Sequence, residues 1–203
     1  MLPAGGYRPF VAYDALAESK RLLTYGLPDP PRALSRRIRF AALGCDVDRD
    51  LAMTAFARRG VSGEPMLDAW VLERRDGAWV LLGGGGGSLD HDALADRPPA
   101  DEMGGWLQLQ GGGGARRRTE TILPGAGGWA SYAELRLARE VALVQVRGRR
   151  LPVPRHGHVF VVWPGRRAPS AHLFDVDGAV LTTARLRLNP NLNRRRGETI
   201  IDS

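Results

Sequence analysis

From Val141 to Leu181 the chain packs four short apolar runs between turn signals, and this pattern reads as consecutive β-strands. The runs fall at 141–147, 158–163, 171–176 and 179–188, the last two joined through Asp177-Gly178 as a two-residue hairpin. The run HVFVVW, 158–163, is apolar on both faces and is expected to be a central strand. Further upstream, MLDAWVLERRDGAWVLL places Asp76-Gly77 between two β-prone runs. Pairing through that turn sets Trp79 across from Arg74, within reach of a cation-π contact. WLQLQ at 106–110 and TETIL at 119–123 alternate as strands. Residues 131–140 carry both an S-x-x-E capping box at Ser131 and Glu134 and a period-two alternation, and the strand reading is taken because another β run follows.

Helical signals concentrate in the first third. Asp14 can cap a helix through Tyr25, with Gly26 as its stop, and LPDPP then breaks regular structure. Residues 33–43 fit a helix or a strand. Residues 46–60, DVDRDLAMTAFARRG, predict a helix: acids open it, Arg58 and Arg59 close it, and Gly60 suits the position after its end. The glycine runs 83–87 and 111–114 predict loops, because bare backbone loses most entropy on ordering. The expected fold is mainly β, an antiparallel β-sandwich of immunoglobulin-like outline with two or three N-terminal helices. Its parts would be a helical segment 1–64, a sandwich 65–188 interrupted by a mobile glycine-rich and acidic loop 83–105, and a basic tail 189–203.

Charge adds a direction to this outline. Arginine supplies 28 of the 29 basic side chains, a bias that with abundant Ala and Gly fits a GC-rich genome. The net charge of +7 lies wholly in the second half, and 136–196 holds 13 arginines against Glu140, Asp175 and Asp177. A positive surface there favours an acidic partner, and Arg147, Arg149, Arg150, Arg166, Arg167, Arg194, Arg195 and Arg196 are the candidate partner-binding residues. The lone Cys45 allows no internal disulfide, and the absence of a leader-like or spanning apolar run makes a cytoplasmic location the expectation.

Motifs for chemistry are weak. His156 and His158 have the i, i+2 spacing that puts two imidazoles on one strand face, with His172 as a possible third, but no neighbouring carboxylate in sequence completes a metal shell. Asp175, Asp177 and Gly178 resemble half of a calcium loop and are explained by the hairpin. Asp90, His91 and Asp92 offer an acid and a base on a loop expected to be a solvated surface. GAGGWA at 125–130 fits a degenerate dinucleotide pattern without a feeding strand, and no P-loop or serine elbow is present. Cys45, near the predicted helix start, would there have a lowered thiol pKa, but a buried or inert cysteine is the preferred reading. No catalytic, cofactor-binding or metal residue is therefore assigned, and the protein is expected to be non-enzymatic.

The expected function is a binding or assembly module whose basic C-terminal β-domain docks an acidic protein. The alternative is nucleic-acid binding, through the arginine-rich face or through a winged helix-turn-helix at 33–82 with Arg74 and Arg75 near the wing tip. Against the winged helix, Asp46, Asp48 and Asp50 would point acids at phosphates.

Overall fold

The structure, a computed structural model, describes residues 14–117 and 128–187. The first helix, α1 (Ala15–Tyr25), is the element its sequence predicts: Asp14 Oδ1 accepts from the amides of Leu16 and Ala17, and Gly26 ends it at φ 81°. Among the described residues every long element after it is a strand. Four strands, β1 (Phe40–Asp48), β2 (Leu51–Arg59), β3 (Pro65–Arg75) and β4 (Ala78–Ser88), form a first antiparallel sheet in the order β1-β2-β3-β4. A one-turn helix, α2 (Ala100–Met103), precedes β5 (Leu107–Arg116) and β6 (Trp129–Leu137), which pair and are joined by β9 (His158–Pro164) in a second sheet ordered β5-β6-β9. The third sheet takes β7 (Leu143–Val146), β8 (Arg149–Pro152), β10 (Ser170–Phe174) and β11 (Val180–Arg185) in the order β11-β10-β7-β8.

The second sheet separates two apolar cores. Phe160 and Val162 of β9 join Leu43, Leu51, Met53, Ala55 and Val71 of the first sheet, while Val159, Val161 and Trp163 join Val144, Val146, Ala171 and Leu173 of the third. Successive residues of β9 thus serve opposite cores, which is why HVFVVW is apolar throughout. Its expected central place is corrected, because β9 hydrogen-bonds only to β6 within its sheet. At its other edge, Asp46 Oδ2 accepts from Val162 N (2.8 Å) and Arg149 Nη2 donates to Val162 O (2.9 Å). Side chains there satisfy backbone groups that a neighbouring strand would otherwise pair.

The helix expected over 46–60 is a β-hairpin. Leu51, Met53, Ala55 and Ala57 face the first core, and the intervening Thr54 and Phe56 lie beneath α1, where the Ser19 and Thr54 hydroxyls meet at 2.6 Å and Leu22 packs. A strand buried on both faces shows no alternation, and its Ala-rich composition then imitates a buried helix. Residues 33–39 form no helix either, and Phe40 opens β1. The expected helical segment 1–64 therefore contains β1 and β2, β2 pairs with β3 across the proposed boundary, and the winged helix-turn-helix loses both of its helices. Among the described residues the strand orders define three antiparallel sheets, and no immunoglobulin topology is shown.

The glycine runs are the second correction. Gly83–Gly87 belongs to β4 and Gly111–Gly114 to β5, each an edge strand, so the expected mobile loop begins only after Ser88. Aromatic rings occupy the space that side chains would fill: a Cβ on Gly84 would strike the Trp70 ring and lie 2.8 Å from Ala69 O, and one on Gly113 would lie 3.1 Å from the Tyr132 hydroxyl. Rings laid over strand glycines restore the apolar contact the glycines lack. Asp76 (φ 48°) and Gly77 (φ 79°) form the expected hairpin turn, and Arg74 Cζ sits 5.8 Å from the Trp79 ring centroid. The second expected hairpin is present with a longer loop, closed by Asp175 Oδ1 accepting from Asp177 N and Ala179 N. TETIL, Leu188 and the tail 189–203 lie outside the described residues.

Candidate functional site

Three alternate residues, Asp46, Asp48 and Asp50, each hold an arginine from a distant part of the chain. Arg147 and Gly148 (φ 51° and 82°) make a two-residue turn between β7 and β8 that aims the flanking guanidiniums at β1. Arg149 Nη1 reaches Asp46 Oδ2 at 2.9 Å, and Arg147 Nε reaches Asp48 Oδ2 at 3.0 Å. Arg117 bonds Asp50 and, through Nε, Glu73 Oε1 at 2.6 Å; Glu73 also takes Arg75. Burial pushes the Asp46 carboxyl up to about 6, a rise that Arg149 and the amides of Val162 and Val47 moderate. Two of the eight candidate partner-binding arginines, Arg147 and Arg149, are thus inter-sheet clamps. The readable signal was D-x-D-x-D itself, since period two puts Asp46 and Asp48 on one side of a strand.

Arg150, Arg166 and Arg167 are exposed, with Arg166 Cζ 4.3 Å from the Trp129 ring centroid, and Arg194, Arg195 and Arg196 lie outside the described residues. Arg150 stands at one end of a row that crosses the outer face of the third sheet. Register places Arg150 opposite Gln145, Gln145 opposite His172, and His172 opposite Thr183. His172 Nδ1 and Thr183 Oγ1 are 2.9 Å apart. Arg185 and Ser170 pair on one side of this row, and Phe174 with Leu143 on the other. No strand of this sheet contains Asp or Glu, and among the described residues Arg150, Arg167 and Arg185 form no ion pair.

The histidines divide. His172 is on this open face, whereas His156 and His158 are buried, with ring centroids 5.5 Å apart. His158 Nδ1 lies 3.4 Å from Glu134 Oε1, a carboxylate from β6 that the sequence separation concealed. Among the described residues no group of three or more His, Cys, Asp or Glu is placed to hold a metal ion. Asp90, His91 and Asp92 are exposed on the segment after β4. Cys45 lies within β1, and burial followed by the charge of Asp46 raises its thiol pKa, in line with the preferred reading of an inert cysteine and opposite to a helix-start effect. Gly125–Gly127 of GAGGWA lie outside the described residues, and Trp129 and Ala130 open β6. No described helix is long and apolar enough to cross a membrane. In comparisons with known proteins, no family model, curated protein or solved structure matched the chain.

Proposed function

We propose that the protein is a non-enzymatic binding module that docks an acidic protein surface on the outer face of the third sheet. The observation that carries this reading is the carboxylate-free face bearing Arg150, Gln145, His172, Thr183 and Arg185. Among the described residues Arg150 and Arg185 form no ion pair, unlike Arg117, Arg147 and Arg149. A fixed, flat array of donors suits carboxylates of a partner, and it raises the encounter rate with an acidic surface. The sandwich layering, with the second sheet between two cores, belongs to the same reading: it would leave the third sheet as an outer layer with one face for a partner.

The test is co-purification from the native host, comparing wild type with a variant carrying Arg150→Glu, Arg167→Glu and Arg185→Glu. A partner with an acidic surface should be retained by the first and lost by the second; a partner held equally by both would refute this face. Nucleic-acid binding through the same arginines is separated by titrating duplex and single-stranded DNA at two salt concentrations. A steep fall in affinity with salt would transfer the face to a phosphate backbone.

A further inference from the structure

Residues 89–98 run across one end of the first core, with Ala93 and Leu94 buried, and guanidiniums hold the segment from below. Arg136 Nη1 donates to Ala93 O (3.2 Å) and to His156 O (2.5 Å). Arg155 Nη1 donates to Leu94 O (3.0 Å) and pairs with Asp96 Oδ1 (2.7 Å), and Arg97 N donates to Arg155 O (3.1 Å). In their midst His156 is 0% exposed and His158 5% exposed.

His156 is wired for the neutral state. Its Nδ1 accepts from His158 N at 3.1 Å, so the ring proton sits on Nε2, and Nε2 has no hydrogen-bond partner among the described residues. A second proton would have to enter at Nδ1, turning that hydrogen bond into two opposed N–H groups. The surrounding charges resist it too. His158 faces it from β9, Arg136 and Glu134 from β6, Arg155 from its own turn, and Arg97 and Asp96 from the covering segment, while Asp90 and Asp92 act on Arg136 and Glu140 on Arg97.

We propose that residues 89–98 form an acid-released latch: proton uptake by His156 breaks its bond to the His158 amide, detaches the segment and uncovers His156, His158 and Glu134. Burial first, then the neighbouring His158 and the positive charges of Arg136, Arg155 and Arg97, hold His156 down at about 3 in the closed state. Its ordinary value is 6.5. A depressed value means that the closed state is fully favoured above pH 6.5 and loses favour as pH falls toward 3. By proton linkage the opening equilibrium grows about 25-fold between pH 7 and pH 5.

Amide hydrogen exchange of the full chain at both pH values, corrected for the intrinsic chemistry, reads this directly. Protection over 89–98 should fall about 25-fold more in the wild type than in a variant that lacks the His156 titration. In His156→Asn, whose side-chain oxygen can accept from His158 N where Nδ1 does, the extra loss should vanish. His91→Asn, on the exposed surface of the same segment, should keep it. A substitution-free readout is the His156 ring resonance, which should move together with the amides of 89–98. Equal protection at the two pH values, an unchanged loss in His156→Asn, or a His156 titration that leaves 89–98 unmoved would each overturn the latch.

Discussion

Asp46 and His156 are both buried, and they push the pH dependence of stability in opposite directions. Asp46 rises from 3.8 to about 6 on folding, so its contribution is fully present below 3.8 and is lost as pH climbs through 6. Over that window the loss is roughly 3 kcal/mol. His156 falls on folding, so its contribution is present above 6.5 and is lost on acidification. Replacing Asp46 by Asn keeps an acceptor for Val162 N and removes the titration. Urea unfolding should then show Asp46→Asn gaining roughly 3 kcal/mol on wild type as pH rises from 4 to 7, because the variant has no buried carboxyl to ionise. Stability of the variant should lose the decline between pH 4 and pH 6 that this carboxyl imposes. Neither residue announced this role in sequence. Asp46 read as a helix-opening acid because its partner Arg149 is far along the chain, and Glu134 went unnoticed beside the histidines because only the β6–β9 pairing brings them together.

At the scale of elements, what was legible depended on whether one face met water. The hairpin at Asp76-Gly77 and α1 each carry their own punctuation, a φ-positive turn pair and an N-cap, and both formed where expected. β2 failed because α1 covers its outer face, so its side chains never alternate between apolar and polar. The glycine strands failed because their stabilising groups sit on neighbours, Trp70 on β3 and Tyr132 on β6. This makes the glycines of β4 unequal. Gly84→Ala would drive a methyl into the Trp70 ring and toward Ala69 O, and should cost about 1–3 kcal/mol. Gly87→Ala meets nothing within 4 Å, and by restricting the unfolded chain should be neutral or stabilising by up to about 1 kcal/mol. Thermal melts of the two single variants check the contrast, and equal effects would remove the ring from the account of this strand.

Over the whole molecule, part of the charge asymmetry so visible in sequence is folded into ion pairs. Arg117, Arg147 and Arg149 neutralise Asp50, Asp48 and Asp46, and Arg155 neutralises Asp96, so second-half arginines clamp first-half acids across the sheets. A count of charges along the chain cannot distinguish such clamps from arginines that await a partner; only the strand register does. The distinction has a measurable consequence. Arg149→Glu would place a second carboxylate beside Asp46, whose side chain is 1% exposed, and remove the donor to Val162 O. An uncompensated buried charge costs about 3–5 kcal/mol, enough to unfold a marginal domain. Changing Arg150, Arg167 and Arg185 together to Glu swings the net charge further, yet none of the three forms an ion pair among the described residues, and the unfolding free energy should move by no more than about 1 kcal/mol. Urea unfolding midpoints of the two variants decide the matter: a triple variant as damaged as Arg149→Glu would mean that these surface arginines also serve the fold, leaving the third sheet without a face reserved for a partner.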